Sequence, residues 1–408
     1  MSGKVLASTA ALVVLVGGVA WSQPPDQLSL QMALELAAKQ NLDLLTARQR
    51  QAVSQAGVQI ARQRPNPTLN FTALRDEPHE GVFVDQPLEV GGQRGRRIEV
   101  AHQEGALTDL EIAALERQVR RETREAYFQL AFARAESQRM AHVLELAQRL
   151  EQIARDRFNA GDVAQLEVIQ AGLDVARAQA DYKVAQQEEK ISLSQLNALL
   201  DEPATTSWET VGALEELPAA VSLPELIQLA YDSNPELRHV VQEEKVEESR
   251  RGLLKAERIP NFDFEFGLDF NSPRDFQVGP RGQISVPLPI FARNQGEIAQ
   301  SLATQNLLSS EQAALKRSVA ARVETAYFDL DAQRTQADTY RTSLMPVAQQ
   351  LESLAEESYR AGKADILMVL TAQHNAQDAE QKYLQSLLTV QSTFAGLEEI
   401  VGASIDPK

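Results

Sequence analysis

The sequence predicts a mainly α chain with a small β part, built as a tandem repeat, and three observations predict it. The 408 residues are self-similar at a spacing near 200. Each copy contains two segments whose apolar residues alternate with period two. Each copy then runs into long stretches almost free of proline, which read as helices several times the usual length.

The repeat rests on order and spacing. Asn41-Leu42 corresponds to Asn234-Pro235 at an offset of 193, and Pro65-Asn66 to Pro260-Asn261 at 195. Gln86-Pro87-Leu88 corresponds to Val286-Pro287-Leu288, and Ala126-Tyr127-Phe128 to Ala326-Tyr327-Phe328, both at 200, while Ala160-Gly161 matches Ala361-Gly362 at 201. The drift places small insertions in the second copy. Lys4 and the uncharged run Val5 to Ala20 read as an export signal with cleavage after Ala20 or Ser22, and the run is short of the roughly 20 residues that span a bilayer. The expected divisions are a signal at 1–22, a first repeat at 23–200, a linker at 201–220 containing Pro203 and Pro218, a second repeat at 221–402 and a tail at 403–408.

Each copy opens with a helical region, about Leu28 to Arg64 in the first, which ends at Pro65-Asn66-Pro67 because proline supplies no donor and restrains its predecessor. Leu69 to Ala73 and Val82 to Val90 then alternate. In the second copy Phe262, Phe264, Phe266, Leu268 and Phe270 share one face, Asp263, Glu265 and Asp269 the other, and Ile284, Val286, Leu288 and Ile290 form the partner strand. Their lengths are near those of tilted membrane-spanning strands, and eight of the 13 Phe lie in or beside them. From Gly95 to Asn159 no proline occurs, giving roughly 95 Å of helix, and a return helix runs from about Ala164 to Leu200. The expected seam pairs Val143, Leu146, Leu150 and Ile153 with Leu166, Ile169, Leu173, Ala176 and Ala180; the second copy offers Leu344, Val347, Leu351 and Leu354 with Leu367 and Leu370. Pro346 predicts a kink there.

Composition removes whole classes of function. With 40 Lys and Arg against 57 Asp and Glu, a net charge of −17, the chain is a poor nucleic-acid binder. The absence of Cys excludes disulfides, thiolate chemistry and a lipidated N-terminal Cys. Neither a Walker motif nor a convincing nucleophile constellation is present. Four amphipathic strands cannot close a barrel, which needs about eight, whereas three chains supply twelve. A trimeric 12-stranded β-barrel set on a 12-helix α-barrel is a conduit. The barrel-lumen acids would be Asp85, Glu89, Asp263, Glu265 and Asp269, an arrangement that concentrates cations.

Gln86-Pro87-Leu88-Glu89-Val90-Gly91-Gly92-Gln93-Arg94-Gly95, together with Val286-Pro287-Leu288-Pro289-Ile290-Phe291-Ala292-Arg293-Asn294-Gln295-Gly296-Glu297, resembles the strand ends of the TolC-like outer-membrane efflux proteins, in their CzcC/CusC-like heavy-metal branch. The resemblance covers nearly all of the mature chain. It implies an outer-membrane homotrimer reaching into the periplasm, joined by a periplasmic adaptor to an RND-type inner-membrane pump. It implies a channel with neither catalytic residues nor a cofactor, which fits the absence of Walker and nucleophile motifs. It favours metal-cation cargo such as cobalt, zinc or cadmium, or monovalent copper or silver, with drugs or other small molecules as the open alternative. Arg157, Phe158, Ala160 and Gly161, with Tyr359, Arg360, Ala361 and Gly362, look like its adaptor-facing tips. The family's gate often carries an acid six residues past the turn glycine. Glu167 sits there in the first copy and Met368 in the second, with Asp365 as a substitute.

Other readings stay beside these. A periplasmic adaptor or helical-hairpin interaction protein is the alternative, although an adaptor has one hairpin and this chain has two. A secreted enzyme on a helical scaffold is a further alternative. Gly91-Gly92-Gln93-Arg94-Gly95 is either a strand-to-helix junction or a phosphate cradle, and it lacks the GK[ST] ending of the latter. Arg94, Arg96 and Arg97 would lie at the lower membrane boundary, near lipid phosphate. The five His are scattered, and Asp76, Glu77, His79 and Glu80 read as an exposed acidic loop or a site for a borderline cation.

Overall fold

The computed structural model describes residues 26–75, 78, 80–211, 214–216, 218, 221–270 and 278–405. The expected export signal, and Asp76, Glu77 and His79 of the acidic loop, lie outside the described residues. The first repeat runs β1 (Asp26–Ser29), α1 (Leu30–Gln40), α2 (Leu42–Arg62), β2 (Thr68–Ala73), β3 (Glu80–Leu88), α3 (Gln93–Asn159) and α4 (Gln165–Leu200). After β4 (Trp208–Val211), the second runs α5 (Leu223–Ser233), α6 (Pro235–Ala256), β5 (Phe262–Phe270), β6 (Val278–Ser285), α7 (Gln295–Thr339), a π-helical turn (Tyr340–Leu344), α8 (Met345–Arg360) and α9 (Ile366–Val401).

Matching residues do matching work. Asn41 breaks α1 from α2: its Oδ1 accepts from the N–H groups of Asp43 and Leu44, and its Nδ2 donates to the Leu199 carbonyl at 3.1 Å. Asn234 separates α5 from α6 in the same way, accepting from the Leu237 N–H and donating to the Ile400 carbonyl. Each Asn is buried and satisfies orphaned groups at two helix ends at once.

The linker is more ordered than its prolines predict. β4 lies within 201–220 and pairs in parallel with β1, so six strands stand among the described residues where four were expected. Trp208 donates its Nε1–H to Asn197 Oδ1 at 2.7 Å, and the Tyr127 hydroxyl donates to the carbonyls of Leu28 and Val211, tying this small sheet to α3 and α4. The other four strands form one antiparallel sheet in the order β2-β3-β5-β6, in which β3 of the first repeat pairs with β5 of the second. The fourth strand does not continue through Val286, Leu288 and Ile290. It stops at Ser285, opposite Asp263 and one residue from the start of β5 at Phe262, and Pro287 and Pro289 beyond it lack donors.

The helical hairpins pack only partly through the expected residues: Leu150 is buried in the seam, with Ile153 and Leu370 packed against it. Leu166, Ile169 and Leu173 of α4 are exposed, while Ala171, Ala178 and Ala185 are buried at a spacing of seven. Beyond Arg139 on α3 the buried positions are Ala147, Leu150 and Ala154. In the second repeat Leu344, Val347, Leu351, Leu354 and Leu367 are exposed, and Ala355, Tyr359, Ile366, Val369 and Ala372 are buried. Small residues let antiparallel backbones approach closely, so alanines share the seam with Leu150, Ile366 and Val369 while Leu166, Ile169 and Leu173 face away from it. The expected irregularity at Pro346 takes the form of the π-helical turn just before it, where the Met345 N–H donates to the Tyr340 carbonyl. Near the C-terminus a buried ion pair, Arg124 to Glu398 at 3.1 Å, joins α3 to α9, with Arg124 also stacked on Phe394.

Candidate functional site

The glycine-rich stretch after β3 is a structural joint. Gly92 adopts φ of +74°, and a Cβ on Gly91 would collide with the Ala256 carbonyl and Ile259 of the second repeat. Gln93 is buried and donates from Nε2 to the Ile259 carbonyl at 2.8 Å and to Asn261 Oδ1 at 3.1 Å. The motif therefore fits close approach and strand-to-helix turning. In the second repeat Asn294 takes the left-handed conformation at φ of +53° and donates to the Leu254 carbonyl. Arg94 donates to the Arg62 carbonyl, Arg96 pairs with Glu99, and Arg97 pairs with Glu89. Glu89, one of the five expected lumen acids, thus lies just past β3 in an ion pair that clamps the joint, with its side chain only 10% exposed.

The register of the sheet sorts its residues onto two faces. Leu69, Val84, Phe266 and Phe71, Val82, Leu268 align across neighbouring strands, with Phe264 opposite Ile284. This face is apolar and largely exposed. The other face carries Asp85, Asp263, Glu265 and Asp269 together with Thr68, Asn70 and Gln283. Arg281 also lies there, 3.3 Å from Glu265 and 3.7 Å from Asp269, and its guanidinium stacks 3.8 Å from the Phe83 ring centre. Sequence reasoning missed Phe83 and Arg281, although the odd position of Phe83 within its alternating strand was a visible signal.

At the far end of the hairpins the two turns lie side by side. Gly161 and Gly362 turn the chain at φ of +83° and +71°. Phe158, Ala160, Arg360 and Ala361 are exposed, whereas Tyr359 is fully buried. The Tyr359 hydroxyl donates to Glu167 Oε2 at 2.9 Å, and Arg157 lies 4.6 Å over its ring while donating to its carbonyl. Burial first, then the hydrogen bond to Glu167, pushes the Tyr359 hydroxyl up to about 12, against the opposing pull of Arg157. Asp365 caps α9, accepting from the Met368 N–H at 2.9 Å. The clasp joins hairpin one to hairpin two, a pairing that no single motif announces.

One side of the second repeat is unfinished. α3 packs on α2 and α4 of its own repeat and also on α6 and α9 of the other. Its counterpart α7 packs on α5, α6 and α9 of its own repeat and, among the described residues, makes no packing of comparable extent on the first repeat. Phe128 on α3 is consequently 6% exposed and its counterpart Phe328 on α7 is 59% exposed. Among the described residues, β6 likewise pairs with β5 alone.

Among the described residues, no helix is long and apolar enough to cross a membrane, and no group of three His, Asp or Glu is arranged to hold a metal ion. The family described as Outer membrane efflux protein matches residues 33–202 and 226–403, one match for each repeat. The chain is 26% identical over 382 residues to the cobalt-zinc-cadmium resistance protein CzcC of Cupriavidus metallidurans, covering 92% of this chain and 90% of that protein. Its fold resembles the crystal structure of CusC, with a TM-score of 0.76 at 16% identity over 95% of this chain and 96% of that one. It also resembles the outer membrane protein VceC of Vibrio cholerae, with a TM-score of 0.74 at 14% identity over 92% and 97% of the two chains. With both repeats matched and the strands, joint and hairpins in place, the chain belongs to the outer membrane efflux protein family and is an outer-membrane channel rather than an enzyme.

Proposed function

We propose that three copies of this chain close into a twelve-stranded barrel in the outer membrane, continued by a twelve-helix tube in the periplasm, and that the duct passes metal cations outward. The observation that carries this reading is the half-satisfied interface. Repeat one to repeat two is an interface that the chain makes once internally, through β3 with β5 and α3 with α6 and α9. Repeating it from β6 and α7 to β2, α2 and α4 of the next copy covers Phe328 and the exposed leucines of α4. It also removes the unpaired strand edges that a bilayer forbids. The apolar sheet face then meets lipid, and the acidic face lines the lumen.

The duct moves nothing uphill. It receives cargo from an adaptor and an inner-membrane pump, and the likeness to CzcC supports cobalt, zinc or cadmium as that cargo. The exposed tip residues Phe158, Ala160, Gly161, Arg360, Ala361 and Gly362 meet the adaptor. Arg157 and Tyr359 support the turns from within. Glu167 and Asp365 line the resting constriction, Glu167 through the clasp with Tyr359 and Asp365 from the start of α9. Electron microscopy of protein extracted from outer membranes in detergent tests the architecture. Threefold hollow cylinders with a helical part on the order of 100 Å are expected, and single rods recovered without detergent overturn it. Loss of cobalt, zinc and cadmium tolerance on deleting the gene tests the cargo.

A further inference from the structure

Among the described residues of the sheet's polar face, Arg281 is the single cation, and the sheet is built around its placement. Asn70, Phe83, Gly267 and Arg281 form one row across the four strands. Gly267 leaves a gap in that row, and a Cβ there would collide with the Phe83 ring and the Val82 carbonyl. Arg281 reaches across the gap and lies on Phe83, which is 1% exposed despite standing on the hydrophilic face. Gly81 makes the same concession, since a Cβ on it would also meet the ring. Glu265 and Asp269 hold the guanidinium from either side. The charge is therefore pinned flat against the wall at mid-height of the sheet instead of projecting from it.

We infer that Arg281 sets the charge selectivity of the channel at this level. Its single positive charge is shared between Glu265 and Asp269 and offsets one of their two negative charges, leaving Asp85 and Asp263, nearer the helical end, as the carboxylates that chiefly draw cations in. Four unopposed acids per chain would hold divalent ions, and conduction requires binding weak enough for the ion to leave. The stack on Phe83 keeps the compensating cation from narrowing the lumen. This assignment rests on the reading that the polar face lines the lumen, and the experiment separates the two.

The chain has no cysteine, so Gln283→Cys supplies a sole thiol. Gln283 is exposed on the same face, two residues from Arg281 and opposite Glu265. Reaction rates with a cationic and an anionic methanethiosulfonate are measured on reconstituted trimers, approached from the strand end so that the helix tips do not limit access. Removing one charge about 7 Å away by Arg281→Gln raises the cationic-to-anionic rate ratio about threefold or more, and Arg281→Lys leaves it near the starting value. An unchanged ratio in Arg281→Gln, with both reagents reacting, overturns the role of Arg281 and leaves the lumen reading intact. A thiol refractory to both charged reagents overturns the lumen reading itself. If Arg281→Gln does not assemble, Glu265→Gln in the same background is the second variant, and it lowers the ratio by a similar factor.

Discussion

Removing one hydroxyl at the helix tips, by Tyr359→Phe, is expected to open the channel. The bond from Tyr359 Oη to Glu167 Oε2 measures 2.9 Å and links α8 to α4, the two hairpins of one chain. A hydrogen bond to a charged group contributes about 1.5–3 kcal/mol net. Glu167 is half-buried and keeps access to water, so the lower end applies, about 1.5 kcal/mol, or about tenfold per chain. Three chains acting independently multiply to about a thousandfold in the ratio of open to closed states. The ring, its burial and the Arg157 stack all survive in the Tyr359→Phe variant, which confines the change to the hydroxyl.

Planar-bilayer recordings of the purified trimer are the assay. Tyr359→Phe is expected to raise the time-averaged conductance many-fold, and Glu167→Gln to act in the same direction and add little on top of it. Alkali gives an independent handle. The folded hydroxyl titrates near 12, against about 10 for an unperturbed tyrosine. The sign follows from proton counting: between those values the folded state holds the proton and the unclasped state has lost it. The clasp is therefore fully present below pH 10 and is lost as pH rises through about 12. Assembled Tyr359→Phe trimers with the parent conductance at neutral pH would refute the reasoning.

Three more outcomes follow from residues already placed. Asn41→Ala and Asn234→Ala each lose a cap and a strap to the opposite helix, so both lower stability by about 1–3 kcal/mol in denaturant titrations, and by similar amounts because the two sites are equivalent. Gly267→Ala blocks formation of the β3–β5 pair while Gly282→Ala, whose Cβ makes only ordinary contact with the Glu265 carbonyl at 4.0 Å, is tolerated; heat-modifiable migration of the barrel on gels distinguishes them. Ala171→Leu overpacks the α3–α4 seam at about 1–3 kcal/mol. Leu173→Ala, on the exposed stripe, leaves the single chain unaffected and weakens the trimer, as read by native mass against detergent concentration.

The architecture was legible because it depends on periodicity and punctuation. Period-two runs gave β2, β3 and β5 their faces, and Pro65-Asn66-Pro67 and Gly161 marked where α2 and α3 stop. Burial was less legible, because in the proposed trimer half of each interface belongs to another copy. Leu166, Ile169 and Leu173 look like a seam in one dimension, yet the intrachain seam is Ala171, Ala178 and Ala185, and nothing local says which stripe meets which neighbour. The acids on the polar sheet face followed from alternation, whereas their counter-charge did not. Arg281 meets Glu265, Asp269 and Phe83 only through the register of β3, β5 and β6, which no local pattern encodes. The Tyr359–Glu167 clasp spans two repeats and was hidden for the same reason.

The drift in repeat spacing has a structural counterpart in the second hairpin. The offset is 200 at Ala126-Tyr127-Phe128 and 201 at Ala160-Gly161, so the second copy gains one residue between Phe328 and Ala361. An extra residue in a continuous α-helix rotates everything after it by about 100°, which would swing Ala355 and Tyr359 out of the buried tip cluster. A π-helical turn accommodates an added residue within a helix, and Tyr340–Leu344 lies inside that interval. Pro346 suits the site because it has no N–H to offer to the widened ladder. Deleting Ser343 together with Pro346→Ala is thus expected to restore a plain α-helix and retain the tip cluster, with stability within about 1 kcal/mol of the parent. Deleting Gln350 instead, beyond the turn, leaves the rotation uncorrected and is expected to abolish the Tyr359–Glu167 bond. Equal damage from the two deletions, read by trimer melting and by conductance, would show that the π turn does not absorb the insertion.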